Sequence, residues 1–339
     1  FKIFKLYDQR FITKKYDYVQ QHHININTKN TEIQHQPFNY SDVYEYGIYR
    51  THPFKHVNDL DYNLAELSNN MTILDRDVLW ISSMSPQLYQ IYGKDLIESF
   101  QKFMPDSDLW YTYDGNSRLC NDSDRIKSYS LNDSRLLQKF TKKNKDWIPT
   151  DQGGDRPLEE LSKKNKYNGR WFNWYKKVFT LFIAIDCFNY HKQYRYFIWI
   201  DCDCILKQKV EYSLLLDVDT THQIGYFLGK IRKKKDKGVE SGLLSFKLEN
   251  QHRDTTLELT GVDLIRKWHS IYWNRDYLKY KRWDDGYLLK ILLYQHLTSN
   301  DREKYSIDYG IHSKSRDTHV IKGCHIWNYI EHRKGNNIT

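Results

Sequence analysis

The sequence predicts an α/β fold with a mixed, mainly parallel sheet flanked by helices, and three observations carry that expectation. Asp77–Ser83 is an apolar run followed by a helical stretch to about Phe103 and a second run, Asp108–Gly115. A strand, a helix and a strand of these lengths make a βαβ unit and hence parallel pairing. Further on, Trp171–Tyr190 is an aromatic, amphipathic stretch of helical length that feeds Tyr194–Ile200, a buried-strand pattern of aromatic and β-branched residues. Shorter strands and helices then alternate to the C-terminus.

In chain order, residues 1–74 are rich in His, Asn and Tyr, weakly periodic and without a motif. They read as an N-terminal extension or subdomain, with the main domain at 75–339. After Asp77–Ser83, Ser85-Pro86 supplies an N-cap and a proline at the first helical position. Residues 116–169 read as a polar excursion with one helix near Ser134–Phe140, broken at Gln152–Pro157. The buried strand ends in Asp201-Cys202-Asp203, and a polar link follows. Gln223–Leu228 and Val239–Phe246 read as strands, the second entered through the small residues Ser241 and Gly242. Between them Lys230–Lys237 reads as a solvated basic loop, or as a contact for an anionic partner. Helices are expected at Thr256–Trp273 and Trp283–Leu297. The tail closes on His332-Arg333-Lys334-Gly335, which reads either as a site element or as a frayed basic end.

The 339 residues carry a formal net charge of +9, which favours anionic partners such as nucleotides, phosphorylated glycans, nucleic acid or an anionic membrane. Five cysteines without Cys-x-x-Cys spacing fit free thiols in a reducing compartment, so a cytoplasmic setting is expected. The chain begins at Phe1 rather than Met, so an anchor could precede it; Asn-x-Ser/Thr sequons occur at Asn39, Asn70, Asn121, Asn132 and Asn337. The longest apolar run, Val178–Ile185, is too short for the ~20 residues of a membrane span.

The chemistry centres on Asp201 and Asp203. Period-two geometry puts both on one side of the strand end and Cys202 and Cys204 on the other. Two carboxylates at the carboxyl end of a buried strand suit a hard divalent cation, with turn capping as the plain alternative. A zinc site from Cys202, Cys204 and a remote histidine is a further alternative. Strand ends around Ser82, Ser83 and Asp114 would line a ligand crevice or serve as turn residues. Asp284 and Asp285 open a helix, where the dipole alone favours acidic groups.

Taken in order, Phe197–Asp203, Glu240–Leu244, Trp283–Leu288 and His332–Gly335 resemble the motifs of metal-dependent glycosyltransferases of the GT-A fold, of glycogenin-like and galactosyl/xylosyltransferase-like type. The resemblance covers about residues 76–335. Glu240 stands where the glycogenin-like pattern favours Asn, and Asp285 where Gln is common. It implies a Rossmann-like nucleotide-sugar half and an acceptor half. It also implies transfer of a sugar, from UDP by analogy, to a hydroxyl of a glycan or glycoprotein, with a lean to retention. Asp203 and His332 would ligate Mn²⁺ or Mg²⁺, with Asp201 on the metal or the ribose. Lys177, Lys334 and Gly335 would hold the diphosphate, and Ser82, Ser83 and Asp114 the nucleoside. Glu240, Asp284 and Asp285 would surround the acceptor as base or orienting groups. Rival expectations are a nucleic-acid base-modifying glycosyltransferase, a metal-dependent nuclease or phosphatase, and a non-catalytic binding module.

Overall fold

The computed structural model describes residues 73–115, 118–120, 122–163, 165–189, 194–216, 222–248, 259–316 and 319–333. The expected N-terminal extension therefore lies almost entirely outside the described residues, as do Lys334 and Gly335. The fold is α/β, with a seven-stranded mixed sheet flanked by helices, as expected.

The sheet is built from β1 (Val78–Met84), β2 (Asp108–Tyr113), β3 (Ile126–Ser130), β4 (Tyr196–Ile200), β6 (Ile224–Tyr226), β7 (Leu243–Lys247) and β8 (Ser306–Asp308), in the order β3-β2-β1-β4-β7-β6-β8. Pairing is parallel from β3 through β4; β7 is antiparallel to both of its neighbours, and β8 runs parallel to β6. A second, two-stranded sheet pairs β5 (Cys204–Leu206) with β9 (Ile330–His332).

The central strands are apolar on both faces because both are covered, as parallel sheets require. Leu79, Ile81, Phe197, Trp199, Leu244 and Phe246 face one core, and Val78, Trp80, Tyr196, Ile198, Ile200 and Leu243 face the other. The first core packs under α3 (Trp171–Ala184), α5 (Gly261–Trp273) and α6 (Asp285–Gln295); the second packs under α1 (Lys94–Phe103) and the C-terminal residues Ile321, Ile326 and Ile330. Ser85 caps the turn leading to α1 by accepting from Leu88 N, and Ser134 caps α2 (Arg135–Lys143) through Leu137 N. The first cap matches the sequence reading, and α2 lies where a helix was expected.

Four local expectations are corrected. The polar stretch 116–169 contains β3 as well as its helix; β3 is an edge strand whose inward side chains are Ile126, Ser128 and Ser130, so it shows no apolar alternation. The basic run is not a loop: Gly229–Lys234 is a short helix, α4, with Lys233 paired to Asp308. The link after Asp203 contains β5, and the tail through His332 is strand β9 rather than a frayed end. The expected strand from Val239 begins only at Leu243, because Val239 and Glu240 are irregular, bonded to Gly286 O and Phe227 O, and Ser241 and Gly242 form a turn. A last helix, α7 (Ser299–Tyr305), precedes β8. Among the described residues no helix is long and apolar enough to cross a membrane.

Candidate active site

The parallel strands β1, β2 and β4 bring their carboxyl ends to one edge of the sheet. β4 stops at Ile200 where the next residue turns: Asp201 N still donates to Gly242 O of the antiparallel neighbour (2.8 Å), and Cys204 N donates back to Asp201 O (3.0 Å). The chain then enters β5. Its pairing with β9 sets Cys204 opposite His332, and Arg333 N donates to Asp203 O (2.9 Å). This small sheet carries a residue from the far end of the chain to the acidic pair. His332 Nε2 lies 3.1 Å from Asp203 Oδ1 and 4.0 Å from Asp201 Oδ2. Gly242 makes room for the ring, since a Cβ there would stand 2.2 Å from His332 Cε1.

On the other side of Asp201 is Lys177 of α3. Its ammonium donates to Asp201 Oδ1 (2.7 Å) and Ser241 O (2.6 Å), and lies 2.9 Å from Asp285 Oδ2. It also sits 5.0 Å from the centre of the Trp199 ring, whose Nε1 donates to the same Asp201 oxygen (2.7 Å). Burial works against the ammonium, but the Asp201 and Asp285 carboxylates outweigh it and hold its pKa above the ordinary lysine value. Asp285 Oδ2 further accepts from Ser241 Oγ (2.8 Å). Lys177 thus fixes the acidic start of α6 to the end of β4.

Asp284 is the N-cap of α6, accepting from Tyr287 N (3.1 Å) and from Arg282 Nε (2.8 Å). Burial pushes its carboxyl up against the pull of Arg282. Glu240 is fully buried behind His332, with Oε1 3.5 Å from His332 Nδ1 and 3.0 Å from His319 Nε2. Ser82 is buried within the sheet edge, Ser83 is half-buried beside it, and Asp114 at the end of β2 is paired with Lys176 (3.1 Å). Consecutive lysines of α3 therefore reach the ends of two different strands.

The donor set suits the cation that the motif implies. Lys177 and Trp199 hold Asp201 Oδ1, so Oδ2 is the oxygen facing His332 at 4.0 Å, while Asp203 Oδ1 and His332 Nε2, 3.1 Å apart, belong to a group close enough to hold a metal ion. Cys204 lies beside Asp203 and His332. Burial, reinforced by the Asp203 and Asp201 carboxylates, pushes the thiols of Cys202 and Cys204 up.

Sequence reasoning singled out Asp201, Asp203, His332, Lys177 and Asp285, and the structure gathers these five. It missed the contributions of Trp199, Ser241, Lys176 and His319. Trp199 and Ser241 lay inside quoted motifs, but only the pairing of β4 with β7 shows that they face Lys177. His319 has no local signal at all.

No family model and no curated protein matches the chain. Among solved structures, the chain is similar to the crystal structure of a glycosyltransferase involved in the glycosylation of the major capsid of PBCV-1, with a TM-score of 0.39, 10% sequence identity, and coverage of 76% of this chain and 94% of that chain.

Proposed function

We propose that the protein is a metal-dependent glycosyltransferase of GT-A type that moves a sugar from a nucleotide-sugar donor, a UDP-sugar by analogy, to a hydroxyl of a glycan or glycoprotein. The observation that carries this reading is the convergence of Asp201, Asp203 and His332 at the carboxyl end of a parallel strand, joined through Lys177 to the acidic start of α6. That edge is where open α/β sheets bind nucleotides.

Asp203 and His332, with Asp201 Oδ2, would hold Mn²⁺ or Mg²⁺, which when bound supplies electrostatic stabilisation of the departing nucleoside diphosphate. Ser83 and Asp114 at the ends of β1 and β2 would receive the nucleoside, with Ser82 supporting from within the sheet. Lys176 sits next to Asp114 and can follow the ribose or diphosphate as a point charge; Lys334 and Gly335 remain part of the diphosphate proposal from the motif alone. Asp285 has one oxygen committed to Lys177 and Ser241, which suits it to orienting a hydroxyl more than to taking its proton. Asp284, already capping α6 and bound to Arg282, would position that helix start. This arrangement accords with retention.

Turnover of UDP-sugars in the presence of Mn²⁺ tests the reading. Asp203→Ala should lower it by roughly a hundredfold or more while the melting curve keeps its shape. Near-normal transfer in EDTA would overturn metal dependence.

A further inference from the structure

We propose that Glu240 is a positioning residue: it holds the His332 imidazole with Nδ1 turned inward and Nε2 presented to Asp201 and Asp203, and His319 and Arg232 hold Glu240 in turn. The inference deepens the proposed function and rests on the cation site assigned there.

Glu240 has 0% of its surface exposed, so no acceptor hydroxyl reaches it past His332. A carboxylate this deep is tolerated only with partners, and they come from three parts of the chain. Glu240 N donates to Phe227 O (2.7 Å), which fixes the backbone beside β6. Oε2 accepts from Ile321 N (3.3 Å) and lies 3.8 Å from Arg232 Nη1 of α4. Oε1 is the oxygen turned to both histidines, 3.0 Å from His319 Nε2 and 3.5 Å from His332 Nδ1. The two imidazoles meet edge to face with centroids 5.3 Å apart, and Trp327 backs His319 in the same way at 5.4 Å. His332 itself is 2% exposed and lies in the space that the missing Cβ of Gly242 leaves.

A carboxylate at one ring nitrogen favours the tautomer with its proton there. The other nitrogen then keeps its lone pair for the site. Glu240, His319 and His332 also form a trio of ligand type. A second cation among them would need His332 to ligate through both nitrogens and give up its ring proton. The positioning role needs neither.

The test uses the full chain with Glu240→Gln and His319→Gln. Mn²⁺ affinity is measured by electron paramagnetic resonance, and the His332 tautomer by ¹⁵N NMR of the metal-free protein, with His332→Gln assigning the signal. Glu240→Gln should weaken Mn²⁺ binding about 10- to 100-fold and mix the tautomers, and His319→Gln should give a smaller loss of the same kind. The wild type should show the proton on Nδ1. A wild-type proton on Nε2 overturns the proposal even if Glu240→Gln fails to fold. So does a folded Glu240→Gln with unchanged Mn²⁺ affinity and tautomer. A wild type that binds no Mn²⁺ yet shows a Glu240-dependent Nδ1 proton would sink the cation site of the proposed function and leave the hold of Glu240 on the His332 ring standing.

Discussion

Lys177 decides more of the site than any other single residue. One ammonium, almost fully buried, ties together the end of β4, the turn before β7 and the first turn of α6. Removing one partner of a buried ion pair leaves the other charges uncompensated, a loss of about 3 kcal/mol or more. Lys177→Met should therefore lower the urea midpoint as well as activity. The sign of the pH dependence follows from its raised pKa: the stabilisation is fully present below the ordinary lysine value and disappears as pH rises through the higher folded value. The gap between wild type and Lys177→Met should thus be flat through neutral pH and close only in strong alkali. A gap that closes at neutral pH would point to some other group. The lysine itself stood out in the sequence beside Lys176. Its burial did not, because an aromatic helix with adjacent lysines gives no sign of which one the sheet edge receives.

At the scale of elements, the strands that the sequence predicted and those it missed divide by position in the sheet. β1, β2, β4 and β7 are interior strands, and both of their faces are covered, so each reads as a continuous apolar run. β3 and β8 are the two edges; they carry Lys127, Ser128 and Ser130, and Ser306 and Asp308, and give no such run. β5 and β9 are three residues each and gain their strand character only by pairing with each other. The association of Asp203 with His332 was legible as motif order, whereas the strand pairing that joins them was not. A different element carries a local cost. The π-turn Ile185–Asn189 that extends α3 places Asp186 where burial, only partly offset by Arg266, pushes its carboxyl up to about 7. A carboxyl raised in the folded state favours folding while protonated, and that contribution is lost as pH rises from 3.8 through about 7. Asp186→Asn should accordingly be neutral in acid and stabilising by on the order of 4 kcal/mol at pH 8. Denaturant titrations across that range check it, and equal stabilities at both ends would exclude the effect.

For the whole molecule, the proposed cation site joins two separate parts of the sequence, one of them held by weak local structure. The acidic pair follows an interior strand, but His332 arrives on a three-residue strand whose only sheet partner among the described residues is β5. A ligand that bridges these parts binds the native state alone and stabilises it by mass action, by about 2.7 kcal/mol at a hundred times its dissociation constant. In a domain of this size that raises Tm by roughly 4–5 °C. Because the cation and the diphosphate would share one site, the two should cooperate. A UDP-sugar with Mn²⁺ should raise Tm by more than the sum of their separate shifts, and Asp203→Ala should abolish the excess while retaining the native melt. Strictly additive shifts would mean that nucleotide and metal bind apart. In that case the edge formed by Ser83, Asp114 and Asp201 would be no shared donor site, whatever the order of the motifs along the chain.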